Sequence, residues 1–372
     1  MKITAIETIP LRLPFAQPFK ISQGAGRETI DTLIVRVHTD EGISGIGETQ
    51  AWRRQGSAEL IWNLVRTVKD EFEPRLAGRS PFDIGGILKV LDEALYNTLY
   101  AQAAVADALY DIAGKAVGLP VHKLLGGECR DRVRVCGLLA MQPTVAETLE
   151  SAQGFYDRGF RHFGLKIGVD PKQALANVRA LRDRFGDGVV IRVDANGALT
   201  YDDALALLRK LEPYDIDAAE QPIAIWDLDG LAALARATTI PIMADESVST
   251  DHSLLEVIRR RAATVVQTKI AKNGGMYRVW RLWALASAAG MRIYPGNHPS
   301  TSVATAAVAQ LCAAWPGPLL EGVFAVGVSG ALAADVVTDP LSPANGEIRV
   351  PTGPGLGVEL DPAAIERFRI DR

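Results

Sequence analysis

The chain has 372 residues, 48% hydrophobic and 23% charged, with 40 basic and 44 acidic side chains and a formal net charge of −4. That composition excludes a disordered chain, a coiled coil and a collagen-like repeat, and the mild acidity argues against a nucleic-acid binder. No apolar run approaches the ~18 residues of a membrane span, and the N-terminus lacks a signal-peptide core. Cys129, Cys136 and Cys312 show no metal-site spacing. A cytoplasmic, membrane-free protein with reduced thiols is expected.

In chain order, residues 1–50 predict antiparallel strands. Thr32–Val37 is β-rich, and Asp40-Glu41-Gly42 predicts a hairpin turn into Ile43–Glu48. The Pro-, Gly- and polar-rich stretch 14–29 predicts a loop between two strands. Residues 57–118 read as helical, with Ala101–Val117 alanine-rich and ending at Gly118 before Pro120.

From about residue 130 the pattern changes. Apolar strands are predicted at Val133–Leu138, Phe163–Ile167, Val189–Asp194, Asp217–Glu220, Pro241–Asp245, Thr264–Lys269, Met291–Pro295 and Leu319–Glu321. Between them, Val145–Arg158, Pro171–Phe185, Tyr201–Leu211 and Met276–Ala289 predict amphipathic helices. Positions 166, 194, 220, 245, 269, 294 and 320, each near a strand end, lie 28, 26, 25, 24, 25 and 26 residues apart. Eight near-even βα units predict an α/β fold of the TIM type, a (β/α)8 barrel. A doubly wound sheet would give fewer, less even units. The expected organisation is an α+β capping domain over 1–128, a barrel over 129–344, and a tail, 345–372, packing back on the cap.

In such a barrel the chemistry sits at the C-terminal ends of the strands. The third, fourth and fifth strands end in Asp194, Glu220 and Asp245. One such acid alone would be an ordinary helix N-cap. Three in register repel one another unless a cation intervenes. Oxygen-only ligands suit Mg²⁺, with Mn²⁺ as alternative, over zinc. The second and sixth strands end in Lys166 and Lys269, which bracket the acids. A divalent cation on a substrate carboxylate, with a lysine over one face of the α-carbon, suits proton abstraction α to that carboxylate.

At these residues the chain resembles the enolase superfamily, muconate lactonizing enzyme subgroup. The resemblance runs over Ala106–Lys115, Gly118-Leu119-Pro120, Leu124–Gly127, Asp194-Ala195-Asn196, Glu220-Gln221-Pro222, Asp245-Glu246-Ser247 and Lys269–Gly275. It implies a capped barrel, Mg²⁺ on the three carboxylates, and Lys166 and Lys269 as acid and base. It also implies a small carboxylate substrate and a homo-oligomer, dimeric or octameric. Members include muconate cycloisomerases, o-succinylbenzoate synthases, N-acylamino acid racemases, and dipeptide and proline-derivative epimerases.

Two departures stand out. The family carries Lys-x-Lys on the second strand, whereas this chain has Gly164-Leu165-Lys166, leaving a gap able to admit substrate bulk. The seventh strand reads Tyr294–Ser300 and lacks the acid some members have there.

Asn196, His298 and Glu321 are expected to touch substrate, His298 without a base role because the sixth strand ends in lysine. Glu321, taken to close the eighth strand, favours a substrate amine. The stretch Phe15–Gly26 predicts a lid. Arg53 and Arg54 offer bidentate forks for a second carboxylate. A muconate-like cycloisomerase is the leading expectation. A racemase or epimerase of an amino-acid derivative and a dehydratase are the alternatives, and a non-catalytic barrel would have no need of all five site residues.

Overall fold

The computed structural model describes residues 1–20, 26–51, 59–168, 170–325 and 327–372. Three antiparallel strands open the chain: β1 (Ile3–Phe19), β2 (Arg27–Thr39) and β3 (Ser44–Gln50). β2 is buried from Ile30 to Val35, with Leu33, Ile34 and Val35 fully enclosed. The helix Leu99–Val117 lies directly on β3. A Cβ at Gly45 or Gly47 would fall 2.1 Å from Ala108 O or 2.0 Å from Ala104 O, so only glycine permits this approach. The expected loop at 14–29 is narrower than the sequence indicates. β1 continues past Pro14 through a register shift, and the rings of Phe15 and Phe19 stack 5.0 Å apart.

After the short strand β4 (Arg132–Arg134), seven parallel strands form one sheet. In order they are β5 (Gly137–Leu139), β6 (His162–Lys166), β7 (Val190–Asp194), β8 (Ile216–Glu220), β9 (Ile242–Ala244), β10 (Val265–Lys269) and β11 (Arg292–Gly296). Alternation sorts their side chains. Phe163 and Leu165 face outward, Phe163 edge-on to Phe185 of the helix Pro171–Phe185. Gly164, Lys166, Arg192 and Asp194 face inward, and Arg192 lies over the Tyr294 ring and donates to Asp217.

Leu319–Glu321 is not a regular strand. The segment still spans the gap between β11 and β5, through Leu320 N to Ile293 O (2.8 Å), Val323 N to Arg134 O (2.8 Å) and Cys136 N to Val323 O (2.9 Å).

The last strand, β12 (Glu347–Arg349), pairs antiparallel with β4. Beyond it the tail returns to the first unit, where Leu356 N donates to Asp111 (2.8 Å) and Ile370 N to Pro10 O (3.0 Å).

Two buried carboxylates join the N-terminal unit to the sheet's C-terminal end. Glu48 accepts from Thr301 N, Thr301 Oγ1 and Ala304 N at the start of the helix Ser302–Ala314. Asp107 accepts from Met276 N at the start of the helix Met276–Ala288 (2.9 Å). Both acids lie at a helix N-terminus, where negative charge is favoured. They place the cap over the ends of β10 and β11. No helix among the described residues is long and apolar enough to cross a membrane.

Candidate active site

The parallel register brings the predicted residues together. Lys166 pairs with Asp194 across β6 and β7, and Asp194 with Glu220 across β7 and β8. Asp245 follows β9, two residues beyond Met243, the partner of Glu220. Lys269 ends β10. All five side chains are buried or nearly so. The backbone turns sharply just past two of the acids, with Asn196 at φ 47° and Gln221 at φ 34°, a left-handed conformation that costs free energy and clusters at functional sites.

Each lysine holds one acid. Lys166 Nζ donates to Asp194 Oδ2, and Lys269 Nζ to Asp245 Oδ2. Burial pushes Lys166 toward neutrality, but Asp194 and Glu220 outweigh it and hold the ammonium above its ordinary pKa. Lys269 is likewise raised, its burial outweighed by Asp245 and Glu220. Asp245 is depressed despite burial, because Lys269 and Lys272 both face it.

Glu220 stands apart. It is 1% exposed, and neither carboxylate oxygen has a hydrogen-bond partner among the described residues. Burial, then the charges of Asp194 and Asp245, push it well above the carboxylate range.

Among the described residues no three His, Cys, Asp or Glu side chains converge closely enough to form a metal cluster, and Asp194 and Asp245 are each held by a lysine. The donor set nevertheless suits a hard divalent cation, with three oxygen ligands on neighbouring strands and the middle one unpartnered. A buried carboxylate without a partner is costly, and a cation is one partner that would relieve it.

The chamber at these strand ends is lined by Phe19, Tyr100, Leu138, Asn297, Pro299 and Phe324 together with the charged residues. Asn196 belongs to it as expected, and its side chain donates to Asp194 Oδ2 and Glu246 Oε1, both at 3.1 Å. His298 also lines it, 3.5 Å from the Tyr100 hydroxyl. Burial, then the nearby Lys269 charge, push His298 far below its ordinary pKa, so it is neutral.

Glu321 is a correction. It pairs with Arg134 (2.5 Å) and approaches His162, the first residue of β6, so it sits at the opposite end of the sheet from Lys166. The residue of that segment reaching the chamber is Phe324. Arg53 and Arg54, and part of the expected lid, lie outside the described residues.

The sequence reading missed four contributors. Lys272 donates to Asp245 Oδ1 (2.8 Å) from one turn past Lys269. Its signal was a second lysine three residues after Lys269, inside the stretch Lys269–Gly275. Glu246 is buried and raised to about 7 by burial and by Asp245. It lay within a quoted motif and was passed over. Tyr100, from the cap, and Phe324 carry no local signal, whereas Phe19 lies within the expected lid Phe15–Gly26.

Residues 3–126 match the family model "Mandelate racemase / muconate lactonizing enzyme, N-terminal domain", and residues 147–364 match "Enolase C-terminal domain-like". The N-succinyl-L-Arg/Lys racemase of Bacillus cereus is 33% identical over 308 residues, 82% of this chain and 83% of the relative. Muconate cycloisomerase 1 of Rhodococcus opacus is 32% identical over 377 residues, 99% of this chain and 98% of the relative. The crystal structure of muconate lactonizing enzyme from Pseudomonas fluorescens, complexed with muconolactone, has a TM-score of 0.95 and 31% identity over 99% of each chain.

Proposed function

The chain belongs to the mandelate racemase/muconate lactonizing enzyme family of the enolase superfamily, and from that premise we propose that it is an isomerase that moves the proton α to a substrate carboxylate, with Lys166 and Lys269 working from opposite faces. One observation carries the reading: two buried lysines, each ending a strand, bracket three buried acids of which the middle one is unpartnered.

Members of the family typically use a divalent metal. Asp194, Glu220 and Asp245 would hold Mg²⁺ (Mn²⁺ as alternative), which supplies the positive charge that α-deprotonation of a carboxylate needs. When Asp194 and Asp245 are engaged elsewhere, Lys166 and Lys269 lose the contacts that favour their charged forms. Burial then pushes each toward the neutral amine a general base requires. Asn196 fixes the orientation of Asp194 and Glu246 through its amide.

Racemisation or epimerisation of an N-acyl amino acid fits the lining best. Every described lysine there is tied to a carboxylate, and the remaining polar groups, Tyr100, Asn297 and neutral His298, suit an amide rather than a second anion. A second reading, cycloisomerisation of a muconate-like diacid, is favoured by the whole-length likeness to muconate cycloisomerase 1. It would call on Arg53 or Arg54 for the distal carboxylate.

The test is incubation in D₂O with Mg²⁺ and N-acetyl amino acids, N-succinyl amino acids or cis,cis-muconate, read by NMR and polarimetry. Deuterium at Cα with loss of optical rotation supports the racemase. Lactone formation supports the second reading, and release of water a dehydratase. No exchange or conversion of any carboxylate overturns the proposal.

A further inference from the structure

Gly164 stands two residues before Lys166 and on the same inward face of β6, where the family pattern places the first lysine of its pair. The room it leaves is not open. A Cβ there would lie 2.7 Å from both Cε1 and Cζ of Phe324 and 3.3 Å from Cys136 Sγ, well inside the ~3.5–4.0 Å of an ordinary carbon contact. The ring of Phe324 therefore fills the space, and the expected gap for substrate bulk is closed at that depth.

The ring is firmly held. It is 4% exposed and edge-on to Tyr294, with centroids 5.3 Å apart, in a cluster that includes Cys136, Ala218, Met243 and Val265. It also faces the chamber, beside Leu138 and Phe19. Leu138 is the register partner of Gly164 on β5.

Phe19, Leu138 and Phe324 thus make one apolar wall on the Lys166 side. Tyr100, Asn297 and His298 make a polar wall toward Lys269. A charged substituent pressed against the first wall would lose its hydration and gain no partner. An apolar one would be removed from water.

We infer that Phe324, seated in the room left by Gly164, sets substrate specificity on the Lys166 side, and that the substituent it receives is uncharged and apolar. The inference rests on the proposed α-proton chemistry for its choice of probes, and its binding arm is independent of turnover.

The experiment compares N-acetyl-leucine with N-acetyl-aspartate, similar in size and opposite in polarity, in the presence of Mg²⁺. Affinity is read by calorimetry and kcat/KM by deuterium exchange, for the wild type, Phe324→Ala and the milder Phe324→Leu. The wild type should prefer N-acetyl-leucine by on the order of 10²-fold, and Phe324→Ala should cut that preference at least ~10-fold, through KM rather than kcat. Gly164→Lys combined with Phe324→Ala puts a cation on the wall and should reverse the preference.

Equal affinity of the wild type for both probes overturns the inference. So does failure to bind N-acetyl-leucine, or an unchanged preference in folded Phe324→Ala and Phe324→Leu. Binding of N-acetyl-leucine with the predicted loss in the variants, but no proton exchange in the wild type, upholds the inference while sinking the proposed reaction.

Discussion

Replacing Glu220 with glutamine should stabilise the EDTA-treated protein, the reverse of the usual outcome for a buried polar residue. Glu220 is 1% exposed, its two oxygens have no partner among the described residues, and Asp194 and Asp245 add like charge from the flanking strands. An unpartnered buried amide costs roughly 1–3 kcal/mol, whereas Glu220, held well above the carboxylate range, must either take up a proton on folding or bear an unpartnered buried charge, which costs several kcal/mol even after relaxation. The difference is a gain of about 1–3 kcal/mol for the glutamine variant. Mg²⁺ should then separate the two proteins in the other direction. At a hundred times its Kd the ion stabilises the wild type by about 2.7 kcal/mol. The variant, without the middle anionic ligand, should respond by roughly 1 kcal/mol or less. The assay is urea unfolding followed by circular dichroism, in EDTA and across a Mg²⁺ titration. A variant that is less stable in EDTA and keeps the full Mg²⁺ response would refute the reasoning.

Three further outcomes are expected. Burial raises Asp107 to about 7 against its bond from Met276 N. The native state then holds a proton that the unfolded chain releases near pH 4, so stability should fall as pH rises from about 4 to 7, by roughly 3–5 kcal/mol. Asp107→Asn should flatten that component, and identical pH–stability curves for variant and wild type would contradict it. Glu321→Ala removes only a half-exposed ion pair, so stability should change by less than ~1 kcal/mol and kcat/KM by less than about twofold. A large loss of activity would return Glu321 to the site. Under the cycloisomerase reading, Arg53→Ala or Arg54→Ala should raise KM for cis,cis-muconate with kcat little changed, and an unaltered KM in both variants removes those arginines from the reaction.

The three acids and two lysines were legible because each closes an apolar run at a repeating interval, so periodicity alone put them on one rim. Glu321 obeyed the same surface rule and broke it in space. The segment after Leu319 forms no regular ladder, and Gly322 (φ 84°) bends it, so its acid lies at the entry end and Phe324 at the catalytic end. A three-residue apolar run contains no information about which end faces the chamber. Tyr100 was hidden for a different reason. Nearly every residue of the helix Leu99–Val117 is buried, so no polar face marks the side that meets the barrel. Phe19 sits past two prolines in a stretch that reads as loop, yet proline is tolerated at the edge of a sheet, and β1 runs through them. The closed gap at Gly164 could not be read either, since the ring that fills it is 160 residues away along the chain.

The central claim is that Lys166 and Lys269 exchange the α-proton from opposite faces. It is tested most directly by deuterium exchange of each enantiomer of an N-acetyl amino acid, with Mg²⁺, in Lys166→Ala and Lys269→Ala. Each variant should lose racemisation by at least the ~10²-fold worth of a general base. Each should still exchange the α-proton of one enantiomer, and the two variants should retain opposite ones. Exchange of the same enantiomer by both variants, or losses below ~10-fold in both, would contradict it.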